Sequence, residues 1–258
     1  FRFRHFSVED GLSSNSVRAI MQDKYGFLWI GTEEGLNRYD GIMIKSYSIC
    51  PQAAGKYISS LYGTKKNIWI GTDEGIYIYA YATETFTYFD LTTPNNVRIT
   101  SIVNHILQDK DGNLWFSTNG QGLFRYNLSK NYLEQYEFTS AFGIVASTMA
   151  DSDNQIWALT NQGESGVYKL NKAENKFEPF GLLYNAGNHH SQALAMLEDS
   201  EQTLWLGTWE CGLQKIDKYT RQTTTYLHPT DGKGVTHIHS LMEYAPVSYT
   251  NLRAHETV

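Results

Sequence analysis

The stretch that sets the architecture of this chain is LWIGTEEGLNRYD, residues 28–40. It places a tryptophan in an apolar run, follows that run with a glycine-containing turn, and ends in a second, more polar run. Related stretches recur four more times, as IWIGTDEGIYIYA (68–80), LWFSTNGQGLFRYN (114–127), IWALTNQGESGVYKL (156–170) and LWLGTWECGLQKID (204–217). Self-similarity at a fixed period predicts a repeat architecture.

The repeats are anchored by tryptophans spaced 40, 46, 42 and 48 residues apart, namely Trp29, Trp69, Trp115, Trp157 and Trp205. This period is typical of a four-stranded propeller blade. We therefore expect an all-β fold, a β-propeller with four-stranded antiparallel blades, in which these tryptophans pack between blades. The Gly, Tyr and Thr content and the alternating stretches disfavour a helical solenoid.

Each repeat is predicted to hold four strands. The first is an apolar run that ends near an acidic residue, and a tight turn such as DKYG (23–26) or DKDG (109–112) leads into the tryptophan strand. A second glycine-containing turn precedes the third strand. The predicted first strands lie at 16–23, 101–109 and 191–199, and the predicted fourth strands at 43–48, 85–90, 132–137, 176–181 and 224–229.

The pattern predicts five complete blades and the start of a sixth, and thus a truncated propeller over residues 1–243. VTHIHSLME (235–243) matches the first strand of the other repeats, but no further turn or tryptophan follows it. Residues 244–258 fit no element of the pattern and are predicted to be a non-native or disordered tail.

Composition excludes several other classes of protein. Hydrophobic residues make up 41% of the chain and aromatic residues 14%, which favours a folded, strand-rich domain. The net charge is −6 with no dense Lys/Arg cluster, so no nucleic-acid partner is expected. No apolar stretch approaches the roughly 20 residues that span a bilayer, and the opening residues do not resemble a signal peptide. Cys50 and Cys211 form no metal-like pair, and no cofactor or metal is predicted.

The opening FRHFSVEDGLSSNSVRAIMQDKYGFLWIGTEEGLNRYDG (3–41) resembles the two-component regulator propeller repeat. The resemblance lies in an EDGLS-type opening, a QD-x-x-G-x-LWIGT core and a GLNRYDG close, and it extends to about residue 243. The second and fourth repeats depart from it at their turns, GTKKN (63–67) and ADSDNQ (150–155).

The resemblance implies the sensor domain of a bacterial hybrid two-component system, placed in the periplasm. In this family the propellers usually have seven blades and precede a membrane helix, a histidine kinase and a DNA-binding regulator. Many members sense oligosaccharides from glycan breakdown. We therefore expect this segment itself not to be an enzyme, and to contact a membrane only through regions outside it.

Propeller ligands are expected at the face formed by loops that lead into first strands and by the hairpins joining second and third strands. Trp209 stands out because it lies outside the tryptophan register, in such a hairpin. With Glu210 beside it, Trp209 is a candidate for stacking on a sugar ring while the carboxylate binds hydroxyls. The alternative is a surface tryptophan that packs on a neighbouring blade.

Three further residues are candidates for ligand binding. His190 follows His189 in the long loop LLYNAGNHHS (182–191), although the absence of a fixed ligand spacing favours polar loop or channel-lining roles for these histidines. Arg18 and Asn104 occupy first strands, which line the central channel; an arginine favours bidentate recognition of carboxylates, and either residue also suits a structural hydrogen bond.

Two functions remain open at this level. The first is a ligand-binding sensor segment, and the alternative is a propeller enzyme, a lyase or glycosidase acting on polysaccharides. No catalytic motif such as G-x-S-x-G or H-E-x-x-H occurs, but the fold alone does not decide between them.

The predicted truncation has a consequence for association. FRFRHF (1–6) resembles the strand that completes a last blade, and we expect end blades with uncovered apolar faces. We therefore predict an open arc of blades that self-associates through these faces.

Overall fold

The computed structural model describes residues 4–49, 56–138, 143–160, 166–182, 193–209, 212–227 and 238–243. Within these ranges the chain forms one short 3-10 helix, Val8–Asp10, and otherwise strands, which confirms the all-β prediction. The strands are β1 Val17–Gln22, β2 Leu28–Thr32, β3 Gly35–Tyr39, β4 Ile44–Tyr47, β5 Ile58–Gly63, β6 Asn67–Thr72, β7 Gly75–Ala80, β8 Thr85–Tyr88, β9 Val103–Gln108, β10 Leu114–Thr118, β11 Leu123–Asn127, β12 Tyr132–Tyr136, β13 Val145–Ala150, β14 Ile156–Thr160, β15 Gly166–Asn171, β16 Lys176–Leu182, β17 Ala193–Glu198, β18 Leu204–Thr208, β19 Leu213–Ile216 and β20 Thr223–Leu227.

These strands form five four-stranded antiparallel sheets, each built from four consecutive strands in sequence order. We call the sheets blades 1 to 5, from β1–β4 to β17–β20. The predicted first, second, third and fourth strands of each repeat are therefore confirmed, and where ranges were predicted the ends differ by at most two residues. The chain divides into two compact units: unit 1 comprises Phe1–Ile106 and Phe124–Gln135, and unit 2 comprises Leu107–Leu123 and Tyr136–Val258.

An aspartate holds the turn before the tryptophan strand in four of the five blades. In blade 1, one carboxylate oxygen of Asp23 accepts the backbone N–H groups of Tyr25 at 2.9 Å and Phe27 at 3.0 Å. The other oxygen accepts the indole N–H of Trp29 at 2.7 Å. The same indole contact recurs at Asp109–Trp115, Asp151–Trp157 and Asp199–Trp205, with distances of 2.7–3.0 Å. The carboxylate thus fixes the turn and the packing tryptophan together.

Blade 2 departs from this arrangement, as the turn GTKKN suggests. Thr64 replaces the aspartate, and its hydroxyl accepts the Asn67 N–H at 3.0 Å and donates to the Asn67 carbonyl at 2.9 Å. The turn is therefore closed by one neutral side chain, which has no second oxygen to offer an indole.

Neighbouring blades approach each other closely at a glycine of the tryptophan strand. A Cβ placed on Gly31 would lie 2.5 Å from Ile58 Cγ2, in the first strand of blade 2. In unit 2, a Cβ on Gly207 would lie 2.6 Å from the carbonyl oxygen of Ile238. The WIGT and WLGT sequences therefore supply the gap into which the next first strand packs.

Residues 238–243 contact blade 5 as a sixth first strand would, although they form no strand themselves. Ile238 is buried against Trp205 and Leu213, and its N–H donates to the Thr208 carbonyl at 3.0 Å. Glu243 accepts the backbone N–H of Ser200, as Glu198 does for Ser152 in the preceding pair of blades. These shared contacts confirm the predicted start of a sixth repeat.

The two ends of the chain lie largely outside the described residues. The proposed tail, 244–258, lies outside them entirely, as do residues 1–3. Of the predicted strand FRFRHF, residues 4–6 form no strand; Arg4 donates to the Tyr39 hydroxyl at 3.1 Å and Phe6 packs on the Tyr39 ring at 4.8 Å.

Candidate functional site

A β-bulge marks the start of the first strand in four blades. In blade 1, Val17 pairs with Thr32 and Ala19 pairs with Gly31, so Arg18 is the extra residue. The same shift occurs in blades 2, 4 and 5 at Ser59, Ala146 and Leu194. Bulges redirect the side chain of the extra residue, and this one lies beside the end of the second strand. Each such blade therefore presents one variable side chain at the same place.

The hairpins at this end of the blades are closed by buried threonines. The Thr32 hydroxyl donates to the Gly35 carbonyl at 3.0 Å and accepts the Glu34 N–H at 3.2 Å. The corresponding hydroxyls of Thr72, Thr118 and Thr208 make the same bond to the glycine carbonyl. A fixed hairpin holds the residue after each threonine at the surface, and in blades 1, 2, 3 and 5 that residue is Glu33, Asp73, Asn119 or Trp209. In each unit we call this end of the blades the hairpin face.

A buried polar network fixes the loop that leads into β1. Asn37, which is fully buried in β3, accepts the Ser13 N–H at 3.0 Å and donates to the Ser13 hydroxyl at 2.8 Å. The Ser13 hydroxyl also lies 2.8 Å from the Thr32 hydroxyl. Sequence reasoning missed Asn37, although a polar residue in the inward register of an otherwise apolar strand is a signal for such a network.

The structure places Arg18 at the hairpin face but engages it with a neighbour. Its Nε donates to Glu33 Oε1 at 3.0 Å, and a terminal nitrogen contacts the same oxygen. The hydrogen bond to Arg18 lowers the pKa of Glu33, and the same bond raises the pKa of Arg18. The guanidinium of Arg18, which was predicted to bind a ligand carboxylate, is therefore already paired with the carboxylate of Glu33 in its own blade.

Other charges of unit 1 near the hairpin face are also paired. Lys56 contacts Glu74, and Arg98 Nε lies 2.8 Å from Asp90 Oδ1. Asn104 is half-buried in β9, at the position that aligns with Arg18 in sequence. Next to it, burial lowers the pKa of His105 to about 4, so this histidine is neutral near pH 7.

Unit 2 presents the aromatic candidate. Trp209 follows Thr208 in the hairpin of blade 5, and 41% of its surface is exposed, whereas Trp157 is fully buried. Its ring meets His239 edge to face, with ring centroids 5.6 Å apart and planes at 89°. His239 aligns with the bulged residues of the other first strands. Trp209, which lies outside the tryptophan register, is thus exposed, whereas Trp157, which lies within it, is buried.

The predicted site residues Glu210 and His190 lie outside the described residues, as do His189, Cys50 and Cys211. Among the residues that the structure describes, no three His, Cys, Asp or Glu side chains lie close enough to hold a metal ion. No helix in the described ranges has the length and apolarity needed to cross a membrane.

A buried lysine that sequence reasoning missed lies at the opposite end of the blades in unit 2. Lys218 Nζ lies 2.9 Å from Asp153 Oδ2, 2.9 Å from Glu198 Oε1 and 3.9 Å from Asp151 Oδ2. Burial opposes its charge, but the hydrogen bonds to Asp153 and Glu198 outweigh burial and raise the pKa of Lys218. This network joins blades 4 and 5 and serves packing of the blades.

The repeated sheets and their hairpin face define a β-propeller segment. Residues 11–34 and 96–120 match the family described as two component regulator propeller, and these two stretches are repeats of that kind. Histidine kinase P4 of Formosa agariphila is 50% identical over 52 residues, which are 20% of this chain and 4% of that kinase.

Solved structures give the same fold over most of the chain. The extracellular domain of one hybrid two component system of Bacteroides thetaiotaomicron is 25% identical with a TM-score of 0.72, covering 87% of this chain and 32% of that domain. A second such domain is 24% identical with a TM-score of 0.70, covering 83% and 28%. Virginiamycin B lyase of Staphylococcus aureus, 16% identical with a TM-score of 0.66 over 84% of this chain and 71% of the lyase, shares the fold alone. The chain therefore spans about a third or less of the sensor domains that it resembles.

Proposed function

We propose that this chain is part of the extracytoplasmic ligand-sensing region of a hybrid two-component histidine kinase, and that it binds an oligosaccharide. The likeness to extracellular domains of two such systems, together with the matched repeats, supports the sensor role. Placement in the periplasm and a kinase elsewhere in the protein follow from the same proposal.

The observation that carries the choice of ligand is the exposed ring of Trp209. A tryptophan that is 41% exposed in a threonine-closed hairpin offers a rigid apolar face at little cost in side-chain entropy. The C–H face of a pyranose matches this surface, while its hydroxyls need polar neighbours. His239, in edge contact with the indole, supplies ring nitrogens beside it.

We propose that the blades fix the position of the Trp209 ring. The hairpin is tied by the 2.8 Å bond from Thr208 to the Gly212 carbonyl, and the Ile238 N–H links the start of the sixth repeat to the Thr208 carbonyl. A ligand bound at Trp209 and His239 therefore contacts two consecutive repeats of unit 2, and its binding energy favours one arrangement of them.

The competing function is polysaccharide cleavage by a propeller enzyme. Likeness to virginiamycin B lyase concerns the fold alone, and propellers of one fold host unrelated functions. We propose that this segment binds its ligand and releases it unchanged. Incubation with a binding oligosaccharide and chromatography of the products tests this: turnover that is lost on substitution of a hairpin-face residue contradicts the proposal.

The binding experiment is a thermal-shift screen of the chain against pools of glucan, xylan, mannan and pectin oligosaccharides, followed by calorimetric titration of the pools that raise the melting temperature. Trp209→Ala should weaken binding by at least about tenfold, which corresponds to about 1.4 kcal/mol. The matched control is Tyr219→Ala, which removes a 79% exposed ring from the β19–β20 turn at the opposite end of blade 5. Equal loss in both variants, or no binding to any pool, contradicts the proposed function.

A further inference from the structure

Unit 1 contains a pocket of about 230 Å³ that none of the functions above uses. Five aromatic side chains line it, together with Arg38, and they are Tyr25, Phe27, Trp29, Tyr79 and Tyr81. It lies beside the Asp23 turn between β1 and β2, at the opposite end of the blades from the hairpin face. Its volume is below the roughly 300–1,000 Å³ of sites for drug-sized ligands and suits a single ring.

The guanidinium of Arg38 is the unusual feature of this pocket. It lies over the Phe27 ring at 4.5 Å and within 6 Å of the Trp29 and Tyr47 rings. Among the described residues it makes no ion pair and no side-chain hydrogen bond, and its Nε is buried without an acceptor. A guanidinium carries five donors in a planar fork that matches a carboxylate.

The acidic neighbours do not satisfy this fork. Both carboxylate oxygens of Asp23 already accept hydrogen bonds, from two backbone N–H groups and from the Trp29 indole. Glu84, the other acidic residue of the lining, is exposed at the rim. The pocket therefore contains the Arg38 guanidinium, whose N–H donors bind no side chain among the described residues.

A second donor without a partner lies in the same lining. The Tyr81 hydroxyl is buried and has no hydrogen-bond partner among the described residues. Burial raises the pKa of Tyr81 to about 12, so the hydroxyl stays protonated and able to donate at neutral pH. The ring centroids of Tyr25 and Tyr79 lie 5.4 and 5.9 Å from the ring centroid of Tyr81.

We propose that this pocket binds a small cyclic carboxylate, with its ring between the aromatic walls and its carboxylate on the fork of Arg38 and the hydroxyl of Tyr81. The aromatic walls select a flat or cyclic body, and the paired donors select an anion with two acceptor oxygens. The proposal does not depend on oligosaccharide binding at the hairpin face.

The chain offers a matched control for Arg38. Lys169 occupies the same position in blade 4, because Arg38 pairs with Trp29 across β2–β3 and Lys169 pairs with Trp157 across β14–β15. Lys169 also stacks on its tryptophan, at 5.1 Å, and lines a separate cavity of about 330 Å³ in unit 2 with Phe180 and Arg221. A generic attraction of anions to cations on the surface would affect both positions alike.

The experiment is calorimetric titration of the chain with sodium benzoate, and with benzamide, acetate and inorganic phosphate as comparisons. We expect saturable binding of benzoate, and binding weaker by at least about tenfold for benzamide, which lacks the charge, and for acetate and phosphate, which lack the ring. Absence of saturable benzoate binding, or equal binding of phosphate, overturns the proposal.

Four variants locate the site. Arg38→Gln should weaken benzoate binding by about tenfold or more, and Tyr81→Phe, which removes only a hydroxyl, by several-fold. Glu84→Gln should strengthen it, because a like charge leaves the rim, and Lys169→Gln should leave it unchanged. A native-like near-ultraviolet circular dichroism spectrum of Tyr81→Phe would show that this variant is folded. Unchanged binding in the Arg38 and Tyr81 variants, or loss in the Lys169 variant, overturns the assignment.

Discussion

Replacing Asp23 tests the physical basis of the repeat most sharply. Its carboxylate accepts the Tyr25 and Phe27 N–H groups and the indole N–H of Trp29, which is fully buried. Hydrogen bonds to a charged group contribute about 1.5–3 kcal/mol each, and the three bonds are not additive. We expect Asp23→Ala to lower the free energy of unfolding by about 3–5 kcal/mol, because it leaves a buried indole without an acceptor.

Two further variants separate the indole bond from the turn. Asp23→Asn keeps one oxygen for the two backbone donors but points an amide N–H₂ at the Trp29 indole, so it should cost nearly as much as Asp23→Ala. Thr64→Ala, at the corresponding turn of blade 2, removes a neutral hydroxyl and should cost only about 0.5–1.5 kcal/mol. Urea unfolding followed by tryptophan fluorescence measures all three. A cost below about 1 kcal/mol for Asp23→Ala, or equal costs at Asp23 and Thr64, refutes the reasoning.

Three other expectations follow from the same structure. Gly31→Ala should cost about 1–3 kcal/mol in chemical unfolding, because its Cβ would lie 2.5 Å from Ile58 Cγ2. Ile58 is fully buried, so Ile58→Ala also destabilises, but the double variant should lose less stability than the sum of the two single variants because the clash is absent. The pKa of His105 falls from 6.5 to about 4 on folding, so the stability that its neutral form contributes is fully present above pH 6.5. Up to about 3 kcal/mol of the free energy of unfolding is lost as the pH falls from 6.5 through 4. His105→Gln should flatten this decline, as measured by urea unfolding at pH values between 6.5 and 4. Self-association stays a prediction: Ile20 is 66% exposed on β1, and Ile20→Lys should lower the mass seen by light scattering, so an unchanged mass contradicts a role for this face.

The blades could be predicted because their determinants are local. The tryptophan spacing, the Asp-x-x-Gly turns and the alternation of apolar residues all repeat within about 40 residues, and each repeat satisfies its own backbone. The sixth repeat was recognisable from VTHIHSLME for the same reason, and Ile238 packs on blade 5 as that pattern requires.

The candidate site was less predictable because it depends on contacts between distant residues. Arg18 was recognisable as a channel-lining candidate for ligand binding, but its pairing with Glu33 depends on the bulge in β1. The edge contact of Trp209 with His239 joins two repeats, and no spacing rule encodes it. Arg38 could not be recognised as a site residue, because a basic residue in a third strand is normally exposed to solvent. Its contact with the Phe27 ring is visible only in the folded structure.

The central claim, that the hairpin face of unit 2 is a saccharide-binding surface, is tested most directly at the Trp209 indole. The measurement is a nitrogen–proton NMR titration of the chain with the oligosaccharide pool that gives the largest thermal shift, the indole signal being assigned with Trp209→Phe. The account predicts that the Trp209 signal moves saturably, while the signals of the buried Trp29 and Trp157 stay in place. A Trp209 signal that remains unchanged at saturating ligand contradicts it.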